Sequence, residues 1–263
     1  KRGINMITII YFVVILIATF LGAIAGLGGG VIIKPILDFV GAHDINTISF
    51  LSSSAVFTMA FYSTIKQLFN KVKLDYVVVL LISVGAIIGG NWGGSLFSYV
   101  LTIYNPTIVK CAQSLILAVL LIAVLINVNG NFKTYKIKNK ILVVGVGLLL
   151  GIISTFLGIG GGPINVAVFI MFFSVDIKKA TVYSIATILF SQGSKLVTIA
   201  STTGFGIFDL NLLWYTLPAA LLGGILGTYI NKKATTTIVH KIFIYSVVFI
   251  ILLNIYNAIS IFF

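Results

Sequence analysis

The stretch Gly26-Leu27-Gly28-Gly29-Gly30 returns 132 positions later as Gly158-Ile159-Gly160-Gly161-Gly162, each time directly behind a long apolar run. Irregular backbone at membrane depth is tolerated only where protein buries it or a wet cavity satisfies its polar groups. Glycine clusters that close two membrane-length segments therefore predict two related halves, each with an interrupted helix. In membrane transporters such paired interruptions point to the substrate site.

Composition agrees with a membrane setting: 59% of residues are hydrophobic, 8% are charged, and the mean hydropathy is +1.18. A soluble domain needs more polar surface than this, so the chain reads as an all-α polytopic membrane protein. The run behind Lys1-Arg2 exceeds a signal-peptide core and has its own counterpart at 141–157, so it is expected to be retained. The net charge of +12 comes from lysines in short links between apolar segments. That distribution belongs to membrane loops and argues against nucleic-acid binding. One cysteine, Cys111, and two distant histidines, His43 and His240, offer no disulfide or metal motif, and no cofactor is expected.

Each half divides into five apolar elements, 6–26, 31–41, 47–69, 74–99 and 107–128, then 140–157, 163–174, 178–200, 210–231 and 239–262. Eight are long enough to cross a hydrocarbon core of about 30 Å. The second element of each half rises only about 16–18 Å as helix and is half-length. Other landmarks repeat in order. Asp44-Ile45 matches Asp176-Ile177, Asp75 matches Asp209, and the Gly-Gly-x-x-Gly of Gly89 to Gly93 matches that of Gly223 to Gly227. The domain reading is repeat I at 1–128, a basic cytoplasmic linker at 129–139 and repeat II at 140–263. The second glycine pattern is read as close helix packing rather than ligand contact, since small residues let membrane helices approach.

Charge sets the expected topology. If all ten elements alternate sides with both termini outside, twelve basic residues from Lys66 to Lys241 fall inside, against Lys1, Arg2 and Lys110 outside. Re-entrant short elements give a weaker nine against six. Five elements per half also make the halves opposite in orientation, an inverted repeat. The expected location is the plasma or inner membrane, multi-pass, with cytoplasmic basic loops.

Half-helices that begin in mid-membrane present unpaired amides and the positive end of a dipole, which suits an anion. The candidate substrate-binding residues are Gly28, Gly29, Gly30, Gly160, Gly161, Gly162, Asn165, Ser191, Gln192 and Lys195. Pro163 fits a first helical turn. Lys195 is an intramembrane cation, either facing the site or snorkelling to the outer interface. Lys34 and Asp38, at i and i+4, form either a structural pair or a proton-coupling device. Hydroxyls at Ser52, Ser53, Ser54 and Thr58 face the same centre or bond their own helix. Asp75 and Asp209 read as helix starts. A dinucleotide fingerprint fails at Val31, which would have to be glycine. With five aspartates, no glutamate and no histidine inside a span, no catalytic constellation can be drawn, and no enzyme is expected.

These duplicated Gly-x-Gly-Gly-Gly motifs, with the Gly-Gly-x-x-Gly matches, resemble the sulfite exporter TauE/SafE family, also called the TSUP transporters, over essentially the whole chain. The resemblance implies movement of small anions such as sulfite, sulfonates or related organic acids across the inner membrane. The family motif often carries a proline soon after the glycines. Here Pro35 and Pro163 take different offsets, so the two half-helices need not bind alike. Beside a secondary transporter working by alternating access, an anion channel and a ten-segment carrier of the drug/metabolite type match the layout. The residues do not give the oligomeric state.

Overall fold

The computed structural model describes residues 6–70, 75–130 and 134–259. Its helices are α1 Met6–Ala25, α2 Gly30–Val40, α3 Ile45–Phe69, α4 Tyr76–Ile103, α5 Pro106–Asn129, α6 Lys140–Leu157, α7 Gly162–Phe173, α8 Ile177–Thr202, α9 Leu213–Lys233 and α10 Thr236–Ile259. Among the described residues there is no strand. Lys1, Arg2, Lys71, Lys73 and Lys133, which entered the charge argument, lie outside the described residues.

Side-chain caps explain where most helices start. Asp44, Asp75, Asn105, Asn139 and Asp176 each accept amide hydrogen bonds from the first turn of the helix that follows, and Asp209 does so for a short 3-10 turn before α9. Such caps satisfy donors that helix geometry leaves without partners. Two helices that follow glycine, α2 and α7, begin differently. Their preceding residues, Gly29 and Gly161, supply no side-chain cap. Both sit in the left-handed region (φ 79° and 83°), as do Gly28 and Gly160, a conformation that glycine adopts without steric cost. The chain thus turns sharply between α1 and α2, and again between α6 and α7.

Among the described residues seven helices are long and apolar enough to cross a membrane: α1, α3, α4, α5, α6, α9 with its 3-10 turn, and α10. The eighth expected span, α8, has the length, at 26 residues, but not the apolarity. The reason is on its buried face, which carries Thr181, Ser184, Thr187, Ser191, Gln192 and Lys195. α8 is shielded from lipid by α3, α4 and α7, which all pack on it. Hence its polar side chains need no apolar surroundings of their own.

Packing repeats between the first five helices and the last five. α4 lies along α6 as α9 lies along α1; α3 meets α9 as α8 meets α4; α5 meets α7 as α10 meets α2; and α3 crosses α8. The α4–α6 contact rests on glycine. A Cβ at Gly89 would overlap the Leu148 carbonyl oxygen, and one at Gly151 would overlap that of Ala86. On the other side, Gly223 and Gly227 lie against the backbone of Leu16 and Phe20 in α1. The linker after α5 is tied down where it is described, since Tyr135 and Ile137 donate backbone hydrogen bonds to Met171 and Phe172 at the end of α7.

Candidate functional site

The two glycine corners meet. A Cβ at Gly162 would overlap the Leu27 carbonyl oxygen, and one at Gly30 would stand 2.5 Å from that of Ile159. The Ser184 hydroxyl of α8 sits between them, 2.6 Å from the Gly26 carbonyl and 3.2 Å from the Gly162 carbonyl. Backbone crossing backbone with no side chain between is what glycine alone permits. Both corners are buried, and their depth follows from their neighbours. Gly28 and Gly160 each face Val56, near the middle of α3.

Next to this crossing lies a cavity of about 590 Å³. Its wall comes from the start of α3, the end of α4 and the end of α8, including Ser49, Phe50, Gly90, Leu101, Thr202 and Lys195. Phe208 stacks on Phe50 at 4.3 Å, and both rings line it. Lys195 is the charged residue of its lining. Its residue is 8% exposed, and its ammonium donates to the Ser49 hydroxyl at 2.6 Å. The side chain therefore points across to α3 and into the cavity rather than out along α8 to the interface.

A second lysine approaches the same corner from α2. The Lys34 ammonium donates to Asp38 Oδ2 and to Gln113 Oε1, each at 3.0 Å, and the other oxygen of Asp38 lies 3.2 Å from the Lys110 ammonium. The Lys34 stem lies 3.1 Å from the place a Gly158 Cβ would take, and the Ser49 hydroxyl lies 3.2 Å from that point. Three ammonium groups thus share a region with one carboxylate. Lys195 has no carboxylate within ion-pair distance among the described residues.

Around the second corner several buried polar atoms have no partner among the described residues: Asn165 Oδ1, Gln192 Nε2 and Thr155 Oγ1. Leaving such a group unmade costs about 1–3 kcal/mol each, so a cluster of them is an arrangement prepared for something polar. Gln192 Nε2 lies 3.4 Å from the position of a Gly160 Cβ, and Asn165 Oδ1 lies 2.9 Å from that of Gly161.

The predicted site residues divide on this geometry. Lys195 lines the cavity. Gly160, Gly161, Gly162, Asn165 and Gln192 gather at the second corner behind its floor, where Thr155 Oγ1 and the Ser191 carbonyl face Gly90. The Ser191 hydroxyl bonds its own helix at the Ile188 carbonyl. Gly28, Gly29 and Gly30 do not line the cavity; Ile188, Val56 and the Ala18–Thr19 backbone surround them beside Ile159. Ser53 and Thr58 bond the carbonyls of Ser49 and Ser54 in their own helix. Sequence reasoning missed Gln113, Ser49 and Thr155. A glutamine inside an otherwise apolar α5 was the available signal for Gln113. Nothing local marks Ser49 or Thr155 apart from other hydroxyls.

The fold defines a helical, multi-span membrane protein with a lysine in the wall of a cavity and buried amides and hydroxyls near it. The chain belongs to the sulfite exporter TauE/SafE family, whose model, described as "Sulfite exporter TauE/SafE", matches residues 11–255. This is a family of membrane transporters and not of enzymes. No curated protein and no solved structure matches the chain.

Proposed function

We propose that the protein is a secondary transporter of a small sulfur oxyanion, sulfite first, that works by alternating access. One observation carries the reading: the unneutralised Lys195 ammonium at the base of the outer cavity, beside a lysine cluster that holds a single carboxylate. A charged group inside a membrane is costly and calls for a partner. An anion supplies that partner, and its oxygens can take the Lys195 ammonium and the Ser49 hydroxyl, both in the cavity wall. The uncapped amides at the start of α7 add positive potential from behind. Sulfite is pyramidal, with three oxygen acceptors, and suits converging donors better than a linear or apolar solute does.

Exchange of packing partners between α1–α5 and α6–α10 supports an inverted repeat, with repeat I at 1–128, the linker at 129–139 and repeat II at 140–263. Rocking of one repeat on the other then opens each end in turn. The basic residues Lys178, Lys179, Lys232 and Lys233 gather at one end, which the charge rule makes cytoplasmic in a plasma membrane. On this assignment both termini lie outside. Lys34 and Asp38 provide a route to proton coupling. A proton on Asp38 would release Lys34 and Lys110 from their carboxylate and raise the positive charge available to an anion. Protons and anions then move together.

Counterflow tests the reading. Proteoliposomes loaded with unlabelled sulfite should take up labelled sulfite faster than empty ones, with saturation. Flux that neither saturates nor responds to trapped sulfite fits a channel, and absence of flux sinks sulfite transport.

A further inference from the structure

A second cavity, of about 290 Å³, lies at the opposite end of α3 and α8. Gln67, Thr228 and Asn231 line it, with Lys178, Lys179 and Lys232 around them. Its positions are those of the outer cavity moved by the repeat. Adding 132 takes Asn46 to Lys178 and Phe50 to Val182, and it relates Gln67 to Ile199. Adding 134 takes Gly94, Phe97 and Ser98 to Thr228, Asn231 and Lys232. The two cavities share no lining residue. Along α8 the deepest outer residue, Lys195, stands about 20 Å from Val182, at 1.5 Å per residue.

Gln67 makes this space more than a crevice. It is 5% exposed, and neither its amide oxygen nor its amide nitrogen has a partner among the described residues. Its neighbours are committed. Thr228 donates to Ser63, Asn231 to the Ile24 carbonyl, Lys178 to the Lys232 and Ala234 carbonyls, and Lys232 to Asn70. One amide is therefore left to serve whatever enters. Three lysines against Asp176 give the mouth a positive surplus. A buried amide donor beneath a cationic rim suits an oxyanion.

We propose that this inner cavity is a second anion site, the cytoplasm-facing counterpart of the Lys195 site, and that the Gln67 amide is its recognition group. The proposal rests on the anion-transport reading for the identity of its ligand, while its test does not require transport. In a Cys111→Ser background, Val182→Cys places a thiol in the cavity wall. Inside-out vesicles are treated with a membrane-impermeant maleimide, with sulfate or methanesulfonate present, or with chloride at equal ionic strength. Either oxyanion should slow labelling at least threefold relative to chloride, and Gln67→Leu should raise the oxyanion concentration that gives half of that protection about tenfold, as loss of a hydrogen bond to a charged group does. Asn70→Cys carries the same measurement if the Val182 variant does not fold. Equal protection in Gln67→Leu, or no protection by either oxyanion, overturns the inner site. Sulfite counterflow on the same preparations separates the two claims. Protection without counterflow leaves the inner site and removes the transport reading, and counterflow without protection does the reverse.

Discussion

Replacing Lys195 by methionine keeps length and removes the charge that lines the larger cavity, which has no carboxylate partner among the described residues. A unit charge about 4 Å from an anion is worth about 4 kcal/mol at an effective dielectric of about 20. Charge-assisted hydrogen bonds measured by mutation give about 1.5–3 kcal/mol, and that range is the better guide because water still reaches the cavity. Affinity for sulfite should fall roughly 10- to 150-fold. The assay is thermal unfolding in detergent. At a sulfite concentration about 100 times the wild-type Kd, ligand binding stabilises the native state by about 2.7 kcal/mol. A 100-fold weaker site at that concentration leaves about 0.4 kcal/mol, so the melting shift should nearly vanish. The ligand-free variant should melt no lower than wild type, because removing an unpaired buried charge relieves desolvation. An undiminished sulfite shift in the methionine variant refutes the site. A large fall in ligand-free stability refutes the view that Lys195 is there for the ligand.

Asp38→Asn should lower stability by about 3–5 kcal/mol by leaving Lys34 and Lys110 without their carboxylate, and it should remove any stimulation of sulfite uptake by a pH gradient; unfolding curves and uptake at two pH values check both. Gly89→Leu should prevent a folded monodisperse protein, seen by size exclusion, because the side chain would have to displace the Leu148 backbone. Gly161→Leu combines a left-handed backbone with contact on Asn165 and should abolish sulfite uptake; undiminished uptake by folded variant would remove that corner from the mechanism. At Asp44, burial pushes the carboxyl up, but hydrogen bonds from Thr47 and from the amides of Thr47 and Asn46 outweigh it and hold it below its usual range. Its folded pKa is thus lower than its unfolded one. The stabilisation is whole above the unfolded value of about 3.9 and is lost as pH falls through the folded value. Melting temperature between pH 6 and pH 3 should fall less steeply in Asp44→Ala than in wild type.

Much of the architecture was legible because bilayer physics leaves few options. Element bounds agree within a few residues, and Asp75 and Asp209, read as helix starts, do cap, the one α4 and the other the 3-10 turn before α9. The packing role given to Gly89 and Gly93 also agrees, because each meets the backbone of α6. Two things were not legible. One was that α8 fails the apolarity of a span, which makes sense only once α3, α4 and α7 surround it. The other was how the glycines are used. Periodicity places both corners at depth, but only the tertiary crossing decides that Gly28 faces Ile188 and Val56 while Gly160 faces the Gln192 amide. Gln113 shows the same limit. Its partners Lys34 and Phe156 come from helices distant in sequence, and no local pattern joins them.

On the proposed repeat, divergence between the two halves gives an otherwise symmetrical frame a preference for one kind of solute. Lys195 corresponds to Ser63, Gln192 to Ala60, Asn165 to Ile33 and Thr155 to Ala23. Every one of these polar groups belongs to the second half, and each counterpart is small or apolar. The frame therefore keeps its paired helix contacts, which hold the two corners against each other, while the deep polar chemistry is gathered on one corner. A symmetrical pair of cations would double the cost of charge burial and attract a divalent or bulky anion across the axis. In the proposed site, one unpaired ammonium with neutral amides and hydroxyls around it suits a single compact anion with several acceptor atoms. That fit follows from the placement of four side chains.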